Sequence, residues 1–260
     1  MSSALSATQI TGNLFLDNLP PAVLQGLHPS FSPITLQSGR VICDSDEAIE
    51  IVIFPVNSIL SVVLEMSDGD TAEVGLIGRE GMSGLPIVLG ISTSNQRTIV
   101  QVPDGAHCIS AEDFRVAVER DSDLKACALR YAQATLMTTS QMSACNTLHP
   151  TNERCARWLL MAHDRVDADR VLLTQEFLSQ MLGVRRGAVT LAASALQEAG
   201  FISYSRGLIT VLNRSGLEAA SCECYETIER NWVALMGYST RKSKAQTGKV
   251  GAHDGLKTNL

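Results

Sequence analysis

Residues 174–200 read TQEFLSQMLGVRRGAVTLAASALQEAG, and the fold turns on how this stretch is understood. Thr174 precedes Gln175, Glu176 and Phe177. A threonine that can cap free N–H groups, followed by an acid in the first turn, marks a helix start. Leu178, Met181 and Leu182 supply an apolar face, and Gly183 suits the left-handed residue that ends a helix. Val184 anchors the turn in the core. A second helix follows, with Val189, Ala192 and Leu196 on one side and Gly200 at its end. Two short helices around a glycine turn predict a helix-turn-helix. In that motif the second helix enters the DNA major groove, with its N-terminal residues at the base edges. Arg185 and Arg186 stand at that end. Arginine bonds guanine O6 and N7 in bidentate fashion, which lysine does less specifically. Ala188 and Thr190 are small enough for close approach and offer methyl groups to a thymine. Thr174, at the start of the first helix, completes this part of the candidate surface.

The next stretch, FISYSRGLITVL (201–212), reads as strand, tight turn at Arg206-Gly207, and strand. A hairpin directly after a recognition helix is a wing, and Arg206 at its tip is placed to reach a phosphate. An ordinary helical hairpin with a solvated arginine pair is the competing reading, and the wing counts against it.

Upstream, Asn152 to Val166 has helical spacing, with Cys155, Trp158, Leu159 and Ala162 on one side, and residues 167–170 read as a polar turn. Before Pro150, residues 112–148 contain neither proline nor glycine and predict a long helix, in one piece or two. Leu124, Ala128, Tyr131, Thr135, Thr138, Met142 and Cys145 recur at spacings of four and three, and are read as a dimer seam. A second stripe, Leu129, Ala132, Leu136 and Ser143, faces elsewhere. Further upstream, Val- and Ile-rich segments at 34–37, 40–43, 49–56, 58–66, 71–78 and 97–103 are separated by turn residues. Short strands at this spacing predict a β-sandwich or barrel, and Asp68-Gly69 is a hairpin signal. After Gly105 the character of the sequence changes. Residues 14–27 form a short amphipathic stretch interrupted by Pro20-Pro21.

The 260 residues are 45% apolar and 18% charged, enough to bury real cores. The net charge of −6 is uneven. Residues 1–150 carry 7 basic and 16 acidic groups, and residues 151–260 carry 14 basic and 11 acidic groups. A basic C-terminal part suits a polyanionic partner. The N-terminus lacks the basic start and apolar run of a signal peptide, and the charge-free stretch 131–152 is too polar to span a bilayer. A soluble cytoplasmic chain without membrane contact is expected. The cysteines stand at 43, 108, 127, 145, 155, 222 and 224. None of their spacings is that of a zinc finger, so no metal and no cofactor is predicted. Cys222-Glu223-Cys224 reads as two ordinary thiols on a helix surface. The other reading is half of a soft-ligand set that this pair alone cannot complete. No GxSxG elbow, phosphate loop or HExxH motif is present, so no enzyme is expected.

The run LTQEFLSQMLGVRRGAVTLAASALQEAGFISYSRGLITVLNRSGLE (173–218), with ARWLLMAHDRV (156–166) ahead of it, resembles the winged helix-turn-helix of the Crp/Fnr superfamily of bacterial transcription regulators. The likeness extends over about residues 13–230. It implies an α+β chain with a jelly-roll-like, cyclic-nucleotide-binding-like β-roll at 13–110 and a central dimerisation helix at 111–149. A winged helix-turn-helix at 150–230 follows. The polar stretch 237–260 is read as a disordered tail. In the family the recognition helix begins Ser-Arg-Glu-Thr, where this chain has Arg185, Arg186, Gly187 and Ala188. Arg186 thus takes the place of the base-reading arginine. Gly187 replaces a glutamate able to accept from cytosine, and Arg185 replaces a serine cap worth about 1 kcal/mol.

The family's nucleotide cassette reads approximately Gly-Glu-(Leu or Ile)-Ala and later Arg-Ser-Ala. Residues 78–84 match the segment before it, which puts Leu85-Pro86 where Glu-Leu belongs, while Gln96-Arg97-Thr98 keeps one arginine. The Glu73 stretch looks like the cassette but falls in the wrong register. Gly84, Leu85, Arg97 and Thr98 are therefore the effector-pocket candidates, and the effector is unknown. The family's iron–sulfur sensors use an N-terminal cysteine group, whereas the first cysteine here is Cys43. His28, His107 and His149, haem ligands by type alone, are read as structural. The expected function is a homodimeric DNA-binding transcription regulator that reads an inverted repeat in double-stranded DNA. It would contact RNA polymerase if it activates, and would not be gated by cyclic AMP. The alternative is a signalling protein whose roll binds cyclic AMP or cyclic GMP.

Overall fold

The structure, a computed structural model, describes residues 11–242. Helices α1 (Leu14–Asp17) and α2 (Pro21–Leu27) lead into β1 (Ser32–Thr35), β2 (Val41–Cys43), β3 (Ile51–Pro55) and β4 (Ile59–Glu65). After these come β5 (Thr71–Ile77), α3 (Leu85–Val88), β6 (Arg97–Val102) and β7 (Gly105–Ser110). The strands form two antiparallel sheets, ordered β1-β7-β3 and β2-β6-β4-β5. Alternation along each strand turns one set of side chains inward. Ile53 of β3, Leu60 of β4 and Val100 of β6 meet Leu36 and Ala106 there in a dry layer. The Asp68-Gly69 turn joins β4 to β5, with Gly69 at φ 88°.

β7 lies within the expected roll but is not among the strands read from composition. GAHCIS is a weak strand by composition, yet it is the middle strand of its sheet, paired with both β1 and β3. Pairing on two edges outweighs its own propensity.

The predicted long helix is two helices, α4 (Ala111–Arg120) and α5 (Ser122–Leu148). They part at Asp121, which leaves helical geometry and accepts from the N–H groups of Asp123 and Leu124, capping α5. With 27 residues, α5 runs about 40 Å. It is followed by α6 (Thr151–Arg165), β8 (Arg170–Leu172), α7 (Gln175–Leu182) and α8 (Arg186–Glu198). The described chain is completed by β9 (Ile202–Ser205), β10 (Leu208–Val211), α9 (Arg214–Ala219) and α10 (Cys224–Met236). The polar turn expected at 167–170 is present through Asp169, and Arg170 opens β8, which adds a third strand to the wing by pairing with β10.

The stripe expected to be the dimer seam faces inward. Leu124, Ala128, Tyr131 and Met142 are buried within the same chain, while Thr135 and Thr138 are half-buried beside the roll. The reason is α10, which packs along α5. Its Trp232 meets Tyr131 edge to face at 5.9 Å, and the Tyr131 hydroxyl donates to the Met82 carbonyl at 2.8 Å. The second stripe of α5 points outward, with Leu129 43% and Leu136 60% exposed.

The expected boundary at 230 falls inside α10, whose Trp232 belongs to the roll's aromatic core. The tail does not begin at 237 either. Tyr238 donates to the Glu80 carbonyl, and Ser239 and Thr240 bond Glu229. Lys242 is buried, with Nζ donating to the carbonyls of Asp167 and Ala168 at 3.1 Å each. These partners come from elsewhere in the chain, beyond the reach of local composition. The remainder of the expected tail, 243–260, lies outside the described residues.

Candidate nucleic-acid interface

The helix-turn-helix is built as its local signals require. The Thr174 hydroxyl accepts from the Phe177 N–H at 3.2 Å and caps α7. Gly183 ends α7 at φ 60°, ψ 40°, a conformation cheap only for glycine. Arg185 precedes α8 in extended geometry and makes no side-chain cap; its carbonyl accepts from the Ala188 N–H at 2.9 Å, so the N–H groups ahead of Ala188 keep the partial positive charge of the helix start. Val189, Ala192 and Leu196 bury the inner face of α8 against α6. Between β9 and β10, Arg206 (φ 51°) and Gly207 (φ 78°) both take left-handed backbone, the turn that suits a tight hairpin.

Thr174, Arg186 and Arg206 come together. With Gln175, Glu176 and Gly207 they line an open groove of about 440 Å³ where the starts of α7 and α8 meet the wing tip. Arg185, Arg186 and Arg206 are all exposed. Arg186 pairs with Glu176 across the groove, an exposed ion pair that competes with any other anion for the guanidinium. Ala188 is half-buried. Thr190 Oγ1 lies 3.0 Å from the Arg186 carbonyl and 3.3 Å from Gln175 Oε1, so its hydroxyl is engaged and its methyl is the free part. Two exposed residues went unread in the sequence: Gln175, which ties α7 to α8, and Leu191, 75% exposed on α8. Leu191 follows Thr190 on the face away from Val189, a position the helical period marks as outward.

The effector candidates divide. Gly84, Leu85 and Thr98 line a cavity of about 120 Å³ in the roll, closed by Tyr131 and Thr135 of α5 and Trp232 of α10. Arg97 does not join them, which corrects its assignment. Its guanidinium pairs with Asp44 at 2.6 Å and Glu65 at 3.1 Å outside the cavity, and holds the Asp44 carboxyl below the usual range. Asp44, just after β2, and Glu65, at the end of β4, supply those acids from the two strands that flank β6. Glu73 also points elsewhere. Buried between β5 and α6, it accepts from Trp158 Nε1 and Ser61 Oγ at 2.8 Å each, and burial pushes its carboxyl up to about 7. Cys222 and Cys224, read as surface thiols, are buried beside Cys145 and His149. Their burial corrects the reading of surface thiols, and their approach to Cys145 and His149 is not visible in the spacing of the cysteines.

A β-roll, a long helix and a winged helix-turn-helix follow one another in this order. Residues 153–220 match the Crp-like helix-turn-helix domain, and over most of its length the chain has the fold of the Crp/Fnr regulators. FixK2 from Bradyrhizobium japonicum superposes with a TM-score of 0.62 at 16% identity, covering 74% of this chain and 98% of its own. TTHB099, a CRP-family transcriptional regulator from Thermus thermophilus, gives 0.61 at 14% identity over 72% and 96%. The c-di-GMP responsive regulator CLP from Xanthomonas campestris gives 0.57 at 12% over 74% and 99%. No curated protein sequence matches the chain. Among the described residues no helix is long and apolar enough to cross a membrane.

Proposed function

We propose that the protein is a homodimeric transcription regulator that binds a specific inverted repeat in double-stranded DNA. The observation that carries this reading is the single groove bordered by Arg186, Arg206 and the uncapped start of α8. A phosphate satisfies free helix N–H groups and a wing arginine, while Arg186 enters the major groove once it leaves Glu176. Dimerisation uses the outward stripe of α5, Leu129 and Leu136, in place of the inward one. Two recognition helices about 34 Å apart then read half-sites one turn apart. Competition with salt follows from counterion release.

The roll is not gated by cyclic AMP in this reading. The arginine of the resembling cassette is committed to Asp44 and Glu65, Glu73 is committed to Trp158, and the cavity wall is mainly apolar. The charged groups in that wall, Arg165 and Glu80, are already paired with each other at 2.9 Å, so a ribose phosphate there would have to break that pair. Selection of bound sequences from a random duplex pool, followed by binding titrations with Arg186→Ala, tests the proposal. Enrichment of a palindrome, with loss of affinity in the variant, is expected. Recovery of no shared sequence overturns it.

A further inference from the structure

We propose that Cys145, His149, Cys222 and Cys224 bind a zinc ion that clamps the end of α5 to the start of α10. The four ligand atoms lie within 4.8 Å of one another. Cys145 Sγ is 3.4 Å from Cys222 Sγ, and Cys224 Sγ is 3.6 Å from His149 Nδ1. In a tetrahedral site with bonds of about 2.0–2.3 Å, ligand atoms sit about 3.3–3.8 Å apart, so the set closes by movements below an ångström or so. Cys145 and His149 are one helical turn apart and share a face at the end of α5, and Cys222 and Cys224 approach from the α9–α10 connection. Three soft thiolates and one imidazole select zinc over magnesium or calcium.

Two further features belong to such a site. His149 presents Nε2 to the Glu223 carboxylate at 3.1 Å. A proton held there leaves the Nδ1 lone pair facing the thiols, the carboxylate–histidine arrangement that orients metal ligands. Glu223 is the middle residue of the Cys-x-Cys pair, so one short segment supplies two ligands and the support for a third. Gln141 Nε2 also donates to Cys224 Sγ at 3.0 Å, satisfying a thiolate lone pair.

Charge favours the same occupant. Arg154 and Arg157 are buried nearby, each with an unpartnered Nε, and among the described residues neither forms a salt bridge with a carboxylate. Zinc with three thiolates and a neutral imidazole carries one net negative charge, which these arginines offset. The thiol protons pass to solvent on binding, and no electron is transferred. The clamp lies next to Pro150, between the central helix and the first helix of the helix-turn-helix domain, and holds α10 on the inward face of α5.

The full chain, purified under reducing conditions from zinc-supplemented cells, is tested by elemental mass spectrometry and by cobalt titration of the metal-stripped protein. The expected result is one zinc per chain. Cobalt should give the visible bands of a tetrahedral ion and ultraviolet thiolate charge transfer, both saturating at one equivalent. Cys222→Ser should abolish stoichiometric retention, and His149→Ala, at the exposed edge, should shift the cobalt spectrum while the fold is kept. Cys43→Ser should change neither. A reduced wild-type chain that takes up neither zinc nor cobalt overturns the proposal, whether or not any variant folds. Stoichiometric iron in place of zinc overturns it, as does a Cys145–Cys222 disulfide in the protein as isolated without reductant.

Discussion

At the scale of the residue, Arg186 divides its charge between Glu176 and whatever enters the groove. In the free protein the Glu176 pair is exposed and worth little, so the base contact proposed for Arg186 would displace it. Replacing Arg186 with alanine should cost about 1–3 kcal/mol of affinity for the selected site and relax preference at one base pair, measured by fluorescence anisotropy. Arg206→Ala should behave differently. As a phosphate contact on the wing it should weaken all duplexes alike and lower the slope of log affinity against log salt by about 1. A sequence-dependent loss for Arg206→Ala would move that residue from the backbone to a base. These three local features, the arginines, the Thr174 cap and Gly183, were legible in the sequence. Each depends on partners within a few residues, where side-chain chemistry and backbone preference suffice.

At the scale of the element, α5 is a helix with two apolar stripes, and periodicity alone does not say which one a neighbour covers. Trp232 and the roll cover the Leu124–Tyr131 side, leaving Leu129 and Leu136 outward. If the proposed dimer forms through that outward stripe, Leu136→Glu should give a monomer by light scattering without changing the circular dichroism of the chain. Leu124→Ala should leave the oligomeric state alone and lower the unfolding free energy by about 2–5 kcal/mol in urea, the cost of a cavity at a fully buried site. The opposite pair of outcomes would return the seam to the inward stripe. The same uncertainty of partner explains β7, a weak strand held by two neighbours, and the residues after Met236, whose polar side chains find buried acceptors on other elements.

At the scale of the whole molecule, the roll and the helix-turn-helix domain meet around Glu73, Trp158 and Ser61. Burial raises the folded carboxyl to about 7 from an ordinary 4.5. Between those values the folded state holds more protons than the unfolded one, so stability falls as pH rises through this window and levels off above it. The total is at most about 3 kcal/mol. His163, whose burial disfavours its cation, acts in the other direction at the acidic end. Comparison with Glu73→Gln therefore isolates the carboxyl. The wild type should lose more of its urea midpoint than the variant between about pH 5 and pH 8. Equal losses would show that Glu73 does not titrate there.

The chain's local order determined its DNA-facing motif: caps, a left-handed glycine, helical spacing and a hairpin turn act over a handful of residues and need no distant partner. Composition and strand spacing likewise determined that a β-rich unit comes first. The tertiary structure alone decided which face of α5 is free, why Arg97 turns to Asp44 and Glu65, and that Glu73 serves an interface between units. It alone brought Cys145 and His149 to Cys222 and Cys224, across more than seventy residues. Periodicity assigns side chains to faces, but which faces meet is set by packing the whole set of elements at once, and that information is held in no single stretch of the chain.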